Sequence, residues 1–448
     1  LIINLPGKPK SIRECLDGVI PGLIATSDRE GMPNLAYLSQ VQFIDNEHVA
    51  LTYQFFNTTR QNVLGGSPVR LLLSSHLTGA QYRLTLQYLR TETAGPIFEQ
   101  MKAKLAGIAS HFGMTGVFRL LGSDIYRVLA IEPIPGPTLA PPPPVNYLTA
   151  LRRANRHLAG CGNLAALLET ALASLADEFG IAHVMLLMHD EGRGRLYTLA
   201  SRGYAQSGVG SEIPVGAGVI GICARERTPI RIGFMAAEYS YGRTVRDGLA
   251  ADGQADALET AIPLPGLPEA RSQLAVPITA IDRLLGVLYV ESVADLHFGY
   301  DDEDALVAFA AQLGLAILHH QHADDLADET PPVDEAAPTP AGPPLVVRHF
   351  AANDSVFIDD DYLIKGVAGA ILWALLSDFV ERRRTGFTNK GLRVDPRIRL
   401  PGVSDNLEAR LVLLQRRLEE RAAGVRIDKS GRGRFTLSVA RPLQLVEG

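Results

Sequence analysis

PVGAGVIGICARERTPIRI, residues 214–232, and LAVPITAIDRLLGVLYVES, residues 274–292, decide how this chain is read. In the first stretch Gly216, Gly218 and Gly221 punctuate a loop that runs into a short helix, since glycine enters turns that a Cβ resists. Thr228-Pro229 ends that helix, because the residue before a proline is steered out of the helical region. Ile230-Arg231-Ile232 then reads as a strand. The second stretch is two apolar, β-branched runs, Leu274 to Ile278 and Leu284 to Val290, parted by a turn at Ile281-Asp282-Arg283. Between the two stretches lies a long polar insertion.

Working outward, Tyr147 to Ala159 is an Arg-rich connecting helix. Leu164 to Glu178 is a second helix, with Leu164, Leu167, Leu168, Ala171 and Leu175 at helical spacing. Ala182 to His189 and Leu196 to Ala200 read as a hairpin, and Tyr300 to His320 as a closing helix with Leu306, Phe309, Leu313 and Ile317 on one face. This order resembles the GAF family of small-molecule sensor domains, over roughly Leu164 to His319. The resemblance implies a pocket on the sheet covered by the insertion, Phe234 to Arg271. There Tyr239, Tyr241 and Arg243 would meet an aromatic or anionic ligand, or else be ordinary solvated loop residues. Neither the cyclic-nucleotide pattern of the family nor the Asp-Cys-His context of bilin binders is present. Cys223 reads as a buried small hydrophobe. His183 and His189 share one face of a strand but stand about 20 Å apart, too far to share a metal. The ligand is not legible.

Two linkers cut the chain. Residues 133–146 are proline-dense and read as an extended spacer, and residues 323–344 are acidic and Pro/Ala-rich. The fold class is therefore multidomain α+β: residues 1–132, then 147–322 with the GAF-like pattern, then 345–448.

The first segment reads mostly as short antiparallel strands with one or two helices, the pattern of a small barrel. It resembles the FMN-binding split barrels related to pyridoxamine 5′-phosphate oxidase. The stretch LTYQFFNTTRQN carries the likeness. The resemblance implies that Thr52, Thr59 and Arg60 grip a flavin phosphate, with Gln81 and Arg83 contributed by the neighbouring strand. Hydroxyl and guanidinium donors suit that task. The preceding strand departs from the family, since Tyr37-Leu38-Ser39-Gln40-Val41-Gln42 contains no cation. Haem, with His111 and Met114 as candidate ligands, or no cofactor at all, are the alternatives to FMN.

The third segment gives two short strands, a helix over Leu363 to Arg383 containing Trp373, a short helix after Thr388, a helix over Asn406 to Ala423 capped by Ser404 or Asp405, and a hairpin across Ser-Gly-Arg-Gly. Three helices and a hairpin resemble the winged-helix effector domains of response regulators. At about 100° per residue, Leu407, Leu411, Leu414 and Leu418 form a core stripe and Arg410, Arg417 and Arg421 one basic flank. That partial segregation is what a DNA-reading helix needs, and Lys429, Arg432 and Arg434 on the hairpin would meet the phosphate backbone. The alternative is a solvated flank that pairs with acids of another protein surface.

Charge and composition frame the function. Residues 345–448 hold 18 Lys+Arg against 13 Asp+Glu, whereas the whole chain is acidic at −6. A basic module on an acidic body points to a polyanion or to docking on an acidic surface. Three distant cysteines offer neither a disulfide framework nor a metal knuckle, which suits a cytoplasmic setting. The most apolar run, Val367 to Leu376, is too short to span a membrane. No P-loop, HExxH or GxSxG motif occurs, and the chain shows no metal site. The sequence thus reads as a cytoplasmic homodimeric regulator that couples a cofactor barrel and a sensor domain to DNA binding. An FMN-dependent oxidoreductase with regulatory modules, or a protein-docking subunit, are the alternatives.

Overall fold

The computed structural model describes residues 12–54, 58–111, 120–143, 145–233, 262–325, 342–398, 400 and 406–448. Three modules of mixed α and β structure follow one another.

The N-terminal module runs β1 (Gly22–Ser27), β2 (Pro33–Leu38), β3 (Val41–Phe43), β4 (His48–Tyr53), α1 (Thr58–Leu64), β5 (Val69–Ser74), β6 (Gln81–Glu92), α2 (Pro96–His111) and β7 (Gly122–Ile134). Its strands form one antiparallel sheet in the order β2-β1-β5-β6-β7-β4-β3. Register shifts at Thr85/Leu86 and Tyr88/Arg90 bend the long β6–β7 ribbon, as extra residues in one strand do. The sheet curls around Ile24, Val49, Leu51, Leu71, Leu84 and Tyr126. Tyr300, from far along the chain, sits in this same core.

The central module comprises α3 (Tyr147–Ala159), α4 (Leu164–Phe179), β8 (His183–Asp190), β9 (Arg195–Arg202), β10 (Glu212–Pro214), α5 (Gly218–Glu226), β11 (Ile230–Ile232), β12 (Ser272–Ala280), β13 (Arg283–Ser292) and α6 (Tyr300–Asp325). The sheet order is β10-β9-β8-β13-β12-β11, antiparallel throughout. Leu288 and Val290 of β13 pack with Leu168, Phe309 and Leu313 of the helices on one face. Val287 and Tyr289 face the other side, with Ile220 and Cys223 of α5. Both faces are covered, so these strands read as continuous apolar runs. Gly221 is required where α5 crosses the preceding loop: a Cβ there would lie 2.4 Å from the Pro214 carbonyl oxygen.

The C-terminal module runs β14 (Leu345–Phe350), β15 (Ser355–Ile358), β16 (Asp361–Ile364), α7 (Gly366–Arg382), β17 (Gly386–Thr388), α8 (Asn389–Val394), α9 (Leu407–Glu420), β18 (Val425–Gly431), β19 (Arg434–Val439) and β20 (Leu443–Glu447). Three features differ from the sequence reading. Leu363 and Ile364 belong to a third strand rather than to the helix, and β20 returns to pair in parallel with β14. The cap of α9 is Asn406, whose side chain accepts from the Ala409 amide at 3.0 Å; Ser404 and Asp405 lie outside the described residues. The cores of the central and C-terminal modules are one continuous cluster, in which Leu167 and Leu168 join Leu411 and Leu414.

Candidate functional site

The end of β4 and the first turn of α1 open onto a cavity of about 350 Å³ in the N-terminal module. Thr52, Thr59 and Arg60 all line it. Arg60 reaches from α1 to β7, where its guanidinium makes an ion pair with Asp124 and donates to Thr91 Oγ1 at 2.8 Å. Thr91 in turn donates to Asp124 at 2.6 Å. The guanidinium also lies 4.2 Å from the Tyr53 ring centre, a cation–π distance. Burial works against its charge, but the bond to Asp124 and that carboxylate's charge outweigh it, and the Arg60 pKa is raised. Thr59 Oγ1 already accepts from Asn34 Nδ2 at 2.7 Å.

Gln81 and Arg83 do not join this group. They stand at the start of β6, whereas Thr91 stands near its end, about 26–34 Å away along the strand. Arg83 is exposed and faces Glu132 at 3.7 Å. Of the five residues the cavity brings together Thr52, Thr59 and Arg60; among its described lining residues Arg60 is the one cation, and its guanidinium is paired with a carboxylate. Sequence reasoning missed Asp124 and Thr91 because an acid 64 residues from its arginine leaves no local signal. Of the haem candidates, Met114 and the side chain of His111 lie outside the described residues.

On the central sheet, Tyr239, Tyr241 and Arg243 also lie outside the described residues. The face toward α5 carries a polar patch that the sequence reading passed over. Glu291 is 2 % exposed and accepts from the Leu267 amide at 2.8 Å and from Tyr289 OH at 3.0 Å. Burial pushes its carboxyl pKa up, against these hydrogen bonds. Gln273 lies close enough to help hold the Glu291 charge, yet its fully buried amide closes no hydrogen bond of standard length and angle with the described residues. The available signal was a Gln and a Glu at the inward positions of otherwise apolar strands. His183 packs against Tyr204 at 5.6 Å, and burial lowers the pKa of both His183 and His189.

The order that decides the central module is a glycine loop over a short helix, an edge strand, and two long closing strands with a helix behind them. Residues 163–317 are a GAF domain. GAF domains are sensory, ligand-binding domains. Among solved structures, the chain is similar to the GAF domain of an Acinetobacter phosphoenolpyruvate-protein phosphotransferase, at 22 % identity over 41 % of this chain and 97 % of that one, with a TM-score of 0.31. It is also similar to the free methionine-R-sulfoxide reductase of Neisseria meningitidis, at 20 % identity over 40 % of this chain and 91 % of that one, TM-score 0.31. A third similarity is to HupZ of Group A Streptococcus, at 20 % identity over 27 % of this chain and 95 % of that one, TM-score 0.21. No curated protein matches.

Two junctions tie the GAF domain to its neighbours. Toward the N-terminal module, Arg231 is 3 % exposed and donates to Glu303 at 2.8 Å, Asp17 at 2.9 Å and the Phe298 carbonyl at 3.2 Å. Its guanidinium lies 4.2 Å from the Tyr300 ring centre. Beside it Lys104 donates to Gln42 Oε1 at 2.7 Å, and burial, with the Arg231 charge, lowers its pKa to about 7. A run of hydrogen bonds leads from the cavity to the GAF domain: Thr52 donates to Gln40 O, Gln40 to Gln42, Gln42 to Gln100, and Gln100 to Thr228.

Toward the C-terminal module, the flank of α9 that the sequence assigns to DNA is turned inward. Arg410 and Arg417 are each 5 % exposed, because α9 is packed between its own module and α4 and β9 of the GAF domain. Arg410 pairs with Asp190 at 2.8 Å and stacks 4.5 Å from the Tyr197 ring centre. Arg417 donates to the Leu363 carbonyl at 3.0 Å and to Glu420 at 2.9 Å. Arg416, which the sequence reading left aside, donates to the Leu199 carbonyl at 2.9 Å and pairs with Glu169. Arg421 and Arg432 are exposed, Arg434 half-buried, and Lys429 pairs with Glu408. Helical spacing places cations on a flank but cannot say whether solvent or a neighbouring domain covers it.

Proposed function

We propose that this protein is a sensory regulator in which ligands of the GAF domain and of the N-terminal cavity set the state of a DNA-binding C-terminal module. The single observation that carries this reading is that the GAF domain is built into both neighbours: its Tyr300 completes the N-terminal core, and its α4 and β9 cover α9. A ligand that shifts the GAF sheet acts on both junctions, since packed cores rearrange between discrete states rather than deform smoothly. On this reading the N-terminal module is a split barrel and the C-terminal module a winged helix, with Arg421, Lys429, Arg432 and Arg434 as the cations that meet phosphates. A homodimer would present two such surfaces to paired half-sites. Three free thiols suit a reducing cytoplasm, and no described helix is long and apolar enough to cross a membrane.

The test is fluorescence anisotropy on labelled genomic fragments, with Arg432→Ala/Arg434→Ala as the variant. Binding that falls uniformly across sequences, with a shallower salt dependence, supports the reading. Binding unchanged by the variant refutes the assignment of the hairpin. A second reading, in which the C-terminal module serves only to dock on protein, is favoured by one observation: the burial of Arg410 and Arg417 against the GAF domain. An FMN-dependent oxidoreductase is the weaker reading, because the cavity's one arginine is neutralised by Asp124. Native mass spectrometry of the purified protein checks both pockets at once.

A further inference from the structure

We infer that the GAF domain holds the C-terminal module closed by placing its own carboxylates and carbonyls on the arginines of α9. This inference deepens the DNA-binding reading above, yet the contact it describes can be tested without DNA. Three arginines within two turns of α9 are engaged in or beside the junction. Arg410 meets Asp190, a carboxylate itself only 4 % exposed. Arg416 meets Glu169 and the Leu199 carbonyl, and Arg417 runs along Gly210, where an added Cβ would lie 3.5 Å from its side chain. Around this row Lys365 pairs with Glu212 at 3.3 Å, and the Ser207 hydroxyl donates to Glu420. Arginine is suited to bidentate pairing with either carboxylate or phosphate. While Arg410 and Arg416 are engaged by carboxylates of the GAF domain they are not offered to an external polyanion, so docking and external binding through this face exclude each other.

Position supports a role in switching. Asp190 ends β8 and caps the turn into β9, accepting from the Arg193 amide at 3.2 Å, and Leu199 lies in β9, the strand beside β8 in the GAF sheet. A displacement of these two strands moves both partners of α9 together. The apolar contacts around the pairs belong to one continuous core, so opening exposes apolar surface as well. The closed state is therefore the resting one, and a signal must supply the difference.

The test uses the full chain with Asp190→Asn/Glu169→Gln, which keeps side-chain shape and the capping oxygen while removing both charges. Hydrogen exchange across residues 407–420 is expected to quicken by about tenfold or more, the scale of a typical coupling energy. Affinity for a labelled DNA duplex is expected to rise by about the same factor, with a salt dependence steeper by about two in log–log slope, one for each of Arg410 and Arg416. Arg416→Gln serves as a milder second variant that breaks the same junction from the other side. Faster exchange in both variants without any gain in duplex binding supports the closed junction and refutes the DNA output. Unchanged exchange in both variants overturns the inference.

Discussion

Replacing Arg231 with Met tests whether the GAF domain and the N-terminal module behave as one unit. Arg231 is buried between two carboxylates, Asp17 from one module and Glu303 from the other, at 2.9 and 2.8 Å. Methionine fills similar volume but leaves both half-buried acids without their cation. Removing one partner of a buried pair costs about 3–5 kcal/mol, because the surviving charge is uncompensated. At the lower figure the midpoint of the cooperative unit falls by roughly 6–12 °C. Scanning fluorimetry at neutral pH measures it, and Asp17→Asn/Arg231→Met should recover part of the loss. A midpoint within about 2 °C of the parent would refute the reasoning.

Three further outcomes are expected. Lys104 titrates near 7 in the folded chain rather than at its ordinary 10.5, so between those values the unfolded chain holds a proton that the folded one has released. Stability from this group thus rises by about 1.4 kcal/mol per pH unit across that window, and the advantage of Lys104→Met over the parent in urea denaturation should shrink from pH 7 to pH 10. Asp124→Asn frees the Arg60 fork, and inorganic phosphate or FMN titrated into the N-terminal cavity should bind about tenfold more tightly by calorimetry; equal affinity would mean that Asp124 does not neutralise the site. Gly286→Val places a Cβ about where the Leu187 carbonyl oxygen stands, 2.0 Å away, and should cost the GAF domain at least about 1–3 kcal/mol, read as a lower urea midpoint.

What the amino-acid sequence determined by itself is local. The glycines before α5, the proline after it and the paired β-branched runs set the order of the GAF domain, because turn geometry and strand pairing depend on residues near one another. The same logic found most strands of the N-terminal module and the helices and hairpin of the C-terminal one. It could not find β20, whose partner β14 lies about a hundred residues earlier, nor the two carboxylates that claim Arg60 and Arg410. Helical periodicity put Arg410 and Arg417 together on one flank, and they are together. Only the tertiary structure decided that the flank faces the GAF domain, since the burial of a charged face depends on which distant surface supplies its counter-charges. Gln81 and Arg83 show the same limit from the other side: likeness of sequence placed them at a shared site, and the length of one strand keeps them from it.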